Sequence, residues 1–180
     1  MRVYLRAFEV DDYKLINKWR KDEEIQSLLG GNKYYVSSER EKKWVEEKIF
    51  NNANQIYWAI CLKNNNEMIG YISVKDFDWI NKKVQWYGLI IGEKKYRNIK
   101  NSLDAIYLML DHIFNQLGMH RIYGYYIKEN EKSILLGKMM GFKIEGTMRE
   151  AVYKNGKYHD FLIASLLKNE FKELKYKRTK

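Results

Sequence analysis

"VQWYGLIIGEKKYRNIKNSLDAI", residues 84–106, is the stretch on which the fold turns. It opens as an apolar run of strand character and closes on apolar residues at helical spacing, with Lys94, Lys95, Arg97 and Lys100 crowded between. A strand thus delivers positive charge to a helix N-terminus. Unpaired backbone N–H groups and the positive end of the helix dipole make such an end a site for an anion. The glycines that often let a backbone wrap a phosphate are absent, since Asn98, Ile99 and Lys100 stand there instead.

Outward from this stretch the periodicity stays legible. The helix expected to open at Asn101 and Ser102 carries Leu103, Ile106, Leu110, Ile113 and Leu117 on one face and ends at Gly118. Upstream, "IYWAICL" (56–62), "MIGYISVKDF" (68–77) and "VQWYGLII" (84–91) read as an antiparallel meander. Downstream, "RIYGYYI" (121–127) is a further strand, after which Asn130 and Ser133 begin a short helix, "EKSILLGKMM", closed by Gly141. Asn155-Gly156 then joins "MREAVYK" to "KYHDFLIASLL" as a tight hairpin.

At the start of the chain, "VYLRAF" (3–8) alternates as a strand, and Asp11 or Asp12 is expected to cap a helix through "YKLINKWRK". "LLGGNKYYV" reads as a loop. Ser38 and Glu41 have the spacing of a capping box for a second helix through "KKWVEEKIF", with Trp44, Val45, Lys48 and Ile49 on one face.

The totals narrow the class. A chain of 180 residues that is 46% hydrophobic can build one domain with its own core, and neither a repeat nor a linker interrupts it. No run approaches the roughly 18 apolar residues of a membrane span, and "MRVYLRAF" lacks the apolar stretch of a signal peptide, so a cytoplasmic protein without a membrane partner is expected. Cys61 is the single cysteine, which excludes an internal disulfide and paired-cysteine metal sites. His112, His120 and His159 are scattered, so no metal is expected. The net charge of +10 favours an anionic partner such as nucleic acid, an acidic membrane surface or a phosphorylated small molecule. Part of that charge lies in the basic tail, residues 173–180, read as a solvated end behind a domain of residues 1–172.

Several phrases together resemble one family. "LRAFEVDDYKLINKW", "GLIIGEKKYRN" with "LDAIYLMLDHIFNQLGMHRI", "ENEKSILLGKMMGFKIEGTMRE" and "YKNGKYHDFLIASLLKNEF" follow the order and spacing of the GNAT acyltransferases, particularly the branch of ribosomal-protein-alanine and spermidine N-acetyltransferases. The resemblance runs from about residue 3 to residue 171. It implies an α/β GNAT fold: a central mixed, mostly antiparallel twisted sheet of about seven strands, flanked by about four helices, with "GLII" splayed from "RIYGYYI". It also implies acetyl-CoA as co-substrate, its pantetheine arm lying between the splayed strands along Leu89, Ile90 and Ile91. The pyrophosphate would then meet Arg97, Asn98, Lys100, Asn101 and Ser102. In that loop Arg97 and Ser102 match the family pattern, whereas Lys100 falls on a glycine position.

The same resemblance assigns roles further along. Asn130 matches the asparagine that binds the pantetheine arm, and Ser133 matches a serine placed to protonate the departing thiolate. Two positions depart from the pattern: Gly137 stands where many relatives have a tyrosine acid, and Trp86 where the branch often has a glutamate base. Substitute bases are Asp76 or Asp78 in "VKDFDW", Glu150, or water acting on an amine that binds partly neutral. If Gly88 marks a bulge, the N–H of Leu89 or Ile90 can face the thioester oxygen. Tyr34, Tyr35, Trp79, Trp86 and Tyr158 are candidates for an acceptor pocket.

The function expected is acetyl transfer from acetyl-CoA to a primary amine by direct attack in a ternary complex. Cys61 sits in a core strand and no Ser-His arrangement supports a covalent intermediate. An amino sugar, a nucleotide-linked amine, a protein N-terminus and a polyamine remain as acceptors, although a polycation would have to overcome the net charge. A non-catalytic acyl-CoA-binding domain and a nucleic-acid binder are the alternatives, and a homodimer is left open.

Overall fold

The computed structural model describes residues 1–29 and 34–179, the side chains of residues 28 and 174–179 excepted. Seven strands form one sheet: β1 (Val3–Ala7), β2 (Gln55–Leu62), β3 (Met68–Asp78), β4 (Lys83–Ile91), β5 (Arg121–Ile127), β6 (Lys143–Lys154) and β7 (Lys157–Leu167). Their order is β1-β2-β3-β4-β5-β7-β6, antiparallel throughout except for the parallel pair β4–β5. The parallel step needs a crossover, and the helix begun by the opening stretch supplies it.

Six helices cover the sheet, two more than expected. On one face lie α1 (Tyr13–Arg20), α2 (Glu23–Leu28) and α3 (Ser38–Phe50). On the other lie α4 (Ile99–Asp111), which continues as a π-helical turn over His112–Gln116, then α5 (Glu131–Met139) and α6 (Lys168–Thr179). The alternation of β2 divides its side chains between the two layers. Tyr57, Ala59 and Cys61 pack toward the first helical group, while Ile60 and Leu62 pack toward the second. Phe171 of α6 reaches the second layer, its ring 5.3 Å from that of Phe114. Each such fully buried side chain contributes about 1.5–3 kcal/mol of hydrophobic stabilisation.

Three helix starts differ from expectation. At α1, the Asp12 carboxylate accepts from both terminal nitrogens of Arg6, at 2.7 and 2.8 Å, and from the Glu9 N–H, so it braces β1 rather than capping the helix by its side chain. At α3 the cap is Ser37, one residue early, accepting from the Arg40 N–H. Glu41 belongs to no capping box there; it is buried against Arg20. At α4 the cap is Asn98, whose side chain accepts from the Asn101 N–H at 2.9 Å, so the helix begins at Ile99. The unexpected α2 is short but locally well specified: Asp22 accepts from the Ile25 N–H, and Glu23 and Glu24 sit in its first turn.

The hairpin is as read, with Asn155 and Gly156 both at positive φ, 51° and 78°. At its end Lys154 is buried, and its ammonium donates to the backbone carbonyls of Gln26, Ser27 and Leu29 at the close of α2. Burial pushes this amine below its ordinary pKa.

Candidate functional site

The fork between β4 and β5 creates the site. The two strands pair only at Lys83–Arg121, Val84–Ile122 and Gln85–Tyr123. Beyond that point β4 keeps its bonds to β3, and β5 keeps its bonds to β7. The edges they turn toward each other are therefore open, from Trp86 to Ile91 and from Gly124 to Ile127. At the crotch a Cβ on Gly124 would lie 3.2 Å from the Trp86 carbonyl oxygen, so glycine lets the backbones approach before they part. On the far side of β4, Ser73 faces Gly88 while Val74 faces Trp86, which leaves Tyr87 as the extra residue of a bulge. The bulge expected at Gly88 is thus present, displaced by one residue.

A cavity of about 750 Å³ runs through this fork. On the α4–α5 side it is lined by Tyr126, Asn130, Ser133 and Leu136, and on the α1–α3 side by Arg20, Trp44, Lys48, Tyr57, Tyr71 and Lys75. Leu89 and Ile90 of β4 lie between. Asn130 caps α5, accepting from the Ser133 N–H at 3.1 Å, which sets Ser133 in the first helical turn.

Other expected site residues stand elsewhere. Asp76, at φ 55°, lies 3.6 Å from Lys75 and does not line the cavity. Asp78 binds Asn81 in the β3–β4 turn, and Glu150 is held by its own N–H donating to Asp160. Trp79 stacks on Phe77 at 5.1 Å, and Tyr158 packs on Tyr153 at the hairpin end. None of these lines the cavity with Ser133; Asp76 and Glu150 stand at positive φ where the strand register shifts. Tyr34 does line the cavity; its neighbour Tyr35 is exposed. Trp86 lines it from β4, but its ring packs at 5.3 Å from Phe142 and edge-on to Tyr126.

The phosphate loop also differs in detail. Arg97 is turned inward: its guanidinium donates to the carbonyls of Ile91 and Gly92 and to the carboxylates of Asp22 and Glu24, at 2.6–3.0 Å. Asn98 is an extended cap at φ −135°, not a left-handed residue. Lys100 is an exposed residue in the first turn of α4, which needs no left-handed backbone either. The Asn101 side chain donates to the Tyr96 carbonyl, and the Ser102 hydroxyl to the Asn98 carbonyl. With the Asn101 N–H taken by Asn98 and the Ser102 N–H by the Asn98 carbonyl, the amides left at the head of α4 are those of Ile99 and Lys100.

A family profile described as "Acetyltransferase (GNAT) domain" matches residues 2–143. The chain belongs to the GNAT acetyltransferase family. Among its relatives is the spermidine N(1)-acetyltransferase of Vibrio cholerae serotype O1, 26% identical over 167 residues, or 93% of this chain and 94% of the relative. The putative ribosomal N-acetyltransferase YdaF of Bacillus subtilis is 30% identical over 107 residues, 59% of this chain and 57% of its own. In structure, the spermidine N-acetyltransferase from Vibrio cholerae in complex with CoA and spermine has the same fold, with a TM-score of 0.85 at 24% identity over 94% of this chain and 98% of that one. This GNAT protein is accordingly an acetyl-CoA-dependent N-acetyltransferase.

Within the GNAT frame, Gly137 has a physical explanation. A Cβ at Gly137 would fall on the Tyr126 hydroxyl, so the phenol rising from β5 fills the space that a side chain on α5 would enter. That hydroxyl and Trp86 Nε1 are the buried side-chain polar atoms without a hydrogen-bond partner among the described residues. Burial raises the Tyr126 pKa well above the ordinary phenol value. Sequence reasoning missed Tyr126, and it missed the α1–α3 wall of the cavity. Trp44 and Lys48 had been read only as one helix face, while Tyr71, Ser73 and Lys75 alternate along β3 and all line the cavity.

Proposed function

We propose that this GNAT enzyme moves an acetyl group from acetyl-CoA to a small primary amine, both substrates meeting in the cavity that passes through the β4–β5 fork. The observation that carries this is the continuity of that cavity, with Asn130 and Ser133 lining one end and Trp44, Lys48 and Tyr57 the other. Direct attack needs two substrates in contact without a covalent relay, and Cys61 is fully buried in β2, outside the cavity lining.

The residues fit the thioester arm. The open β4 edge offers backbone donors and acceptors to an amide-bearing chain, and the head of α5 lies beside it. Acetyl-CoA, when bound, supplies an activated acyl carbon and a thiolate leaving group. The Ile99 and Lys100 amides, with the Lys100 ammonium, would receive its phosphates at the head of α4. The β4 backbone beyond the Tyr87 bulge provides N–H groups toward the carbonyl oxygen. Ser133, with no partner for its hydroxyl among the described residues, supplies the proton that the sulfur takes as the C–S bond breaks and the N–C bond forms.

No carboxylate lines the cavity among the described residues, so proton removal from the amine takes another route. The amine that attacks is the fraction bound neutral. Water then accepts the proton that the nitrogen loses on acylation and returns one to the Ser133 oxygen, so the products are the acetylated amine, the CoA thiol and the unchanged enzyme.

The test is release of free CoA thiol by purified protein with acetyl-CoA and a panel of primary amines. Amine-dependent thiol release with one acetylated product per thiol supports the reading. Tight CoA binding by calorimetry with no turnover across the panel overturns it in favour of a binding domain.

A further inference from the structure

The acceptor side of the cavity carries an unusual charge pattern. Arg20, Lys48 and Lys75 line it, and no acidic side chain does so among the described residues. Arg20 is neutralised from behind, its guanidinium gripping the fully buried Glu41 with two nitrogens. Lys75 meets Asp76 only at 3.6 Å, and that carboxylate is half exposed outside the cavity. No carboxylate lies within ion-pair distance of Lys48 among the described residues.

The two ammonium groups are positioned by aromatic rings. Lys48 lies over Trp44 at 5.5 Å and Tyr57 at 5.6 Å, and Lys75 over Tyr87 at 4.2 Å. Ring faces attract cations without cancelling their charge, so they hold both groups while leaving their field to act on a ligand. Tyr57 and Tyr71 keep their protons, since burial pushes both hydroxyls up, the Tyr71 hydroxyl to about 12. They provide neutral donors rather than counter-charges.

We infer that the acceptor is an amine carrying its own anionic group, a carboxylate or a phosphate, and that Lys48 and Lys75 bind that group while the aromatic wall covers the carbon frame. A polyamine would bring further positive charges against two ammonium groups in a cavity that no carboxylate lines among the described residues. This rests on the acetyl-transfer reading and names the substrate class for the same site.

Matched probes separate the charge from the rest of the substrate: γ-aminobutyrate against putrescine for the carboxylate, and glucosamine phosphate against glucosamine for the phosphate, with spermidine as the polycation. The anionic member of at least one pair is expected to show kcat/KM about tenfold or more above its partner, with the preference shrinking as salt is raised. The pair that responds identifies the anion. Lys48→Gln with Lys75→Gln is expected to erase the preference, and Lys75→Glu to shift it toward the diamine, while calorimetric affinity for CoA stays unchanged. Turnover of spermidine or putrescine equal to or above the anionic probes overturns the inference, even though acetyl transfer itself would then be established. If no amine is turned over, titration of the probes into the CoA complex still decides: salt-sensitive binding of the anionic members supports the charge reading, and equal or absent binding overturns it.

Discussion

The Tyr126 hydroxyl occupies the place that the first side-chain atom of residue 137 would take, so a residue on β5 and the absence of one on α5 form a single packing unit. Gly137→Ala is expected to destabilise the protein by about 1–3 kcal/mol through overpacking. Tyr126→Phe is expected to be close to neutral, because it removes a hydroxyl that has no partner. Joined to Tyr126→Ala, the costly Gly137→Tyr exchange should recover stability relative to Gly137→Tyr alone. Denaturant unfolding of the four variants checks the coupling.

Ser133 and Asn130 should separate kinetically although both sit at the head of α5. Ser133→Ala is expected to lower kcat by about ten- to a hundredfold with KM for acetyl-CoA nearly unchanged, as fits a proton donor acting in the transition state. Asn130→Ala removes the cap of α5, so about 1 kcal/mol of stability is lost and the affinity for CoA falls with it. Steady-state kinetics beside calorimetric titration with CoA distinguishes the two patterns.

In the phosphate loop, charge at Lys100 rather than at Arg97 should govern coenzyme affinity. Lys100→Glu is expected to raise the Kd for CoA about tenfold or more, with a weaker salt dependence, and to leave thermal stability unaltered. Arg97→Ala instead frees Asp22, Glu24 and two carbonyls from their donor and should cost about 1–3 kcal/mol. The hydrogen bond from Arg97 holds the Asp22 carboxyl below its usual pKa. Its stabilising contribution is therefore complete above the unfolded-state value of about 4 and vanishes as pH falls through the lower folded value. The difference in Tm between wild type and Arg97→Ala should be largest at neutral pH and narrow as pH falls through the lowered folded value of Asp22, as melting curves across the acid range will show.

At the crotch of the fork, Gly124→Val is expected to push the β5 backbone from the Trp86 carbonyl, which stands 3.2 Å from a Cβ at that position. Stability should fall by about 1–3 kcal/mol and CoA affinity should drop, because the spacing of the open edges changes. Gly124→Ala should show the same signs at smaller size. Unchanged CoA affinity in both would place the coenzyme away from the fork.

The strands were legible because alternation between two buried faces leaves a strong period, and the hairpin because Asn155-Gly156 satisfies a turn with both residues at positive φ. The fork could be expected from resemblance, whereas its charge could not. Arg20 meets Glu41 across twenty-one residues and Arg97 meets Asp22 across seventy-five, and no local spacing encodes such pairs. Glu41 was therefore taken for a cap, and the bonds of Arg97 to Asp22 and Glu24 were not foreseen. The α1–α3 wall of the cavity escaped notice because Tyr57, Tyr71 and Lys75 obey the same two-residue period as ordinary core strands. Periodicity states which face a side chain takes, and it is silent on whether that face meets a helix or a hollow.

The clasp of Lys154 on the carbonyls of Gln26, Ser27 and Leu29 has a bearing on how the enzyme is born. The contact joins positions 125 to 128 residues apart, and Gln26 and Leu29 line the cavity. The hairpin that fastens this wall holds the last two strands of the sheet to leave the ribosome. A chain halted ahead of residue 154 lacks both this clasp and β7, the strand that holds β5, so the fork and the α2 wall of the cavity are completed together by the last strand to be made.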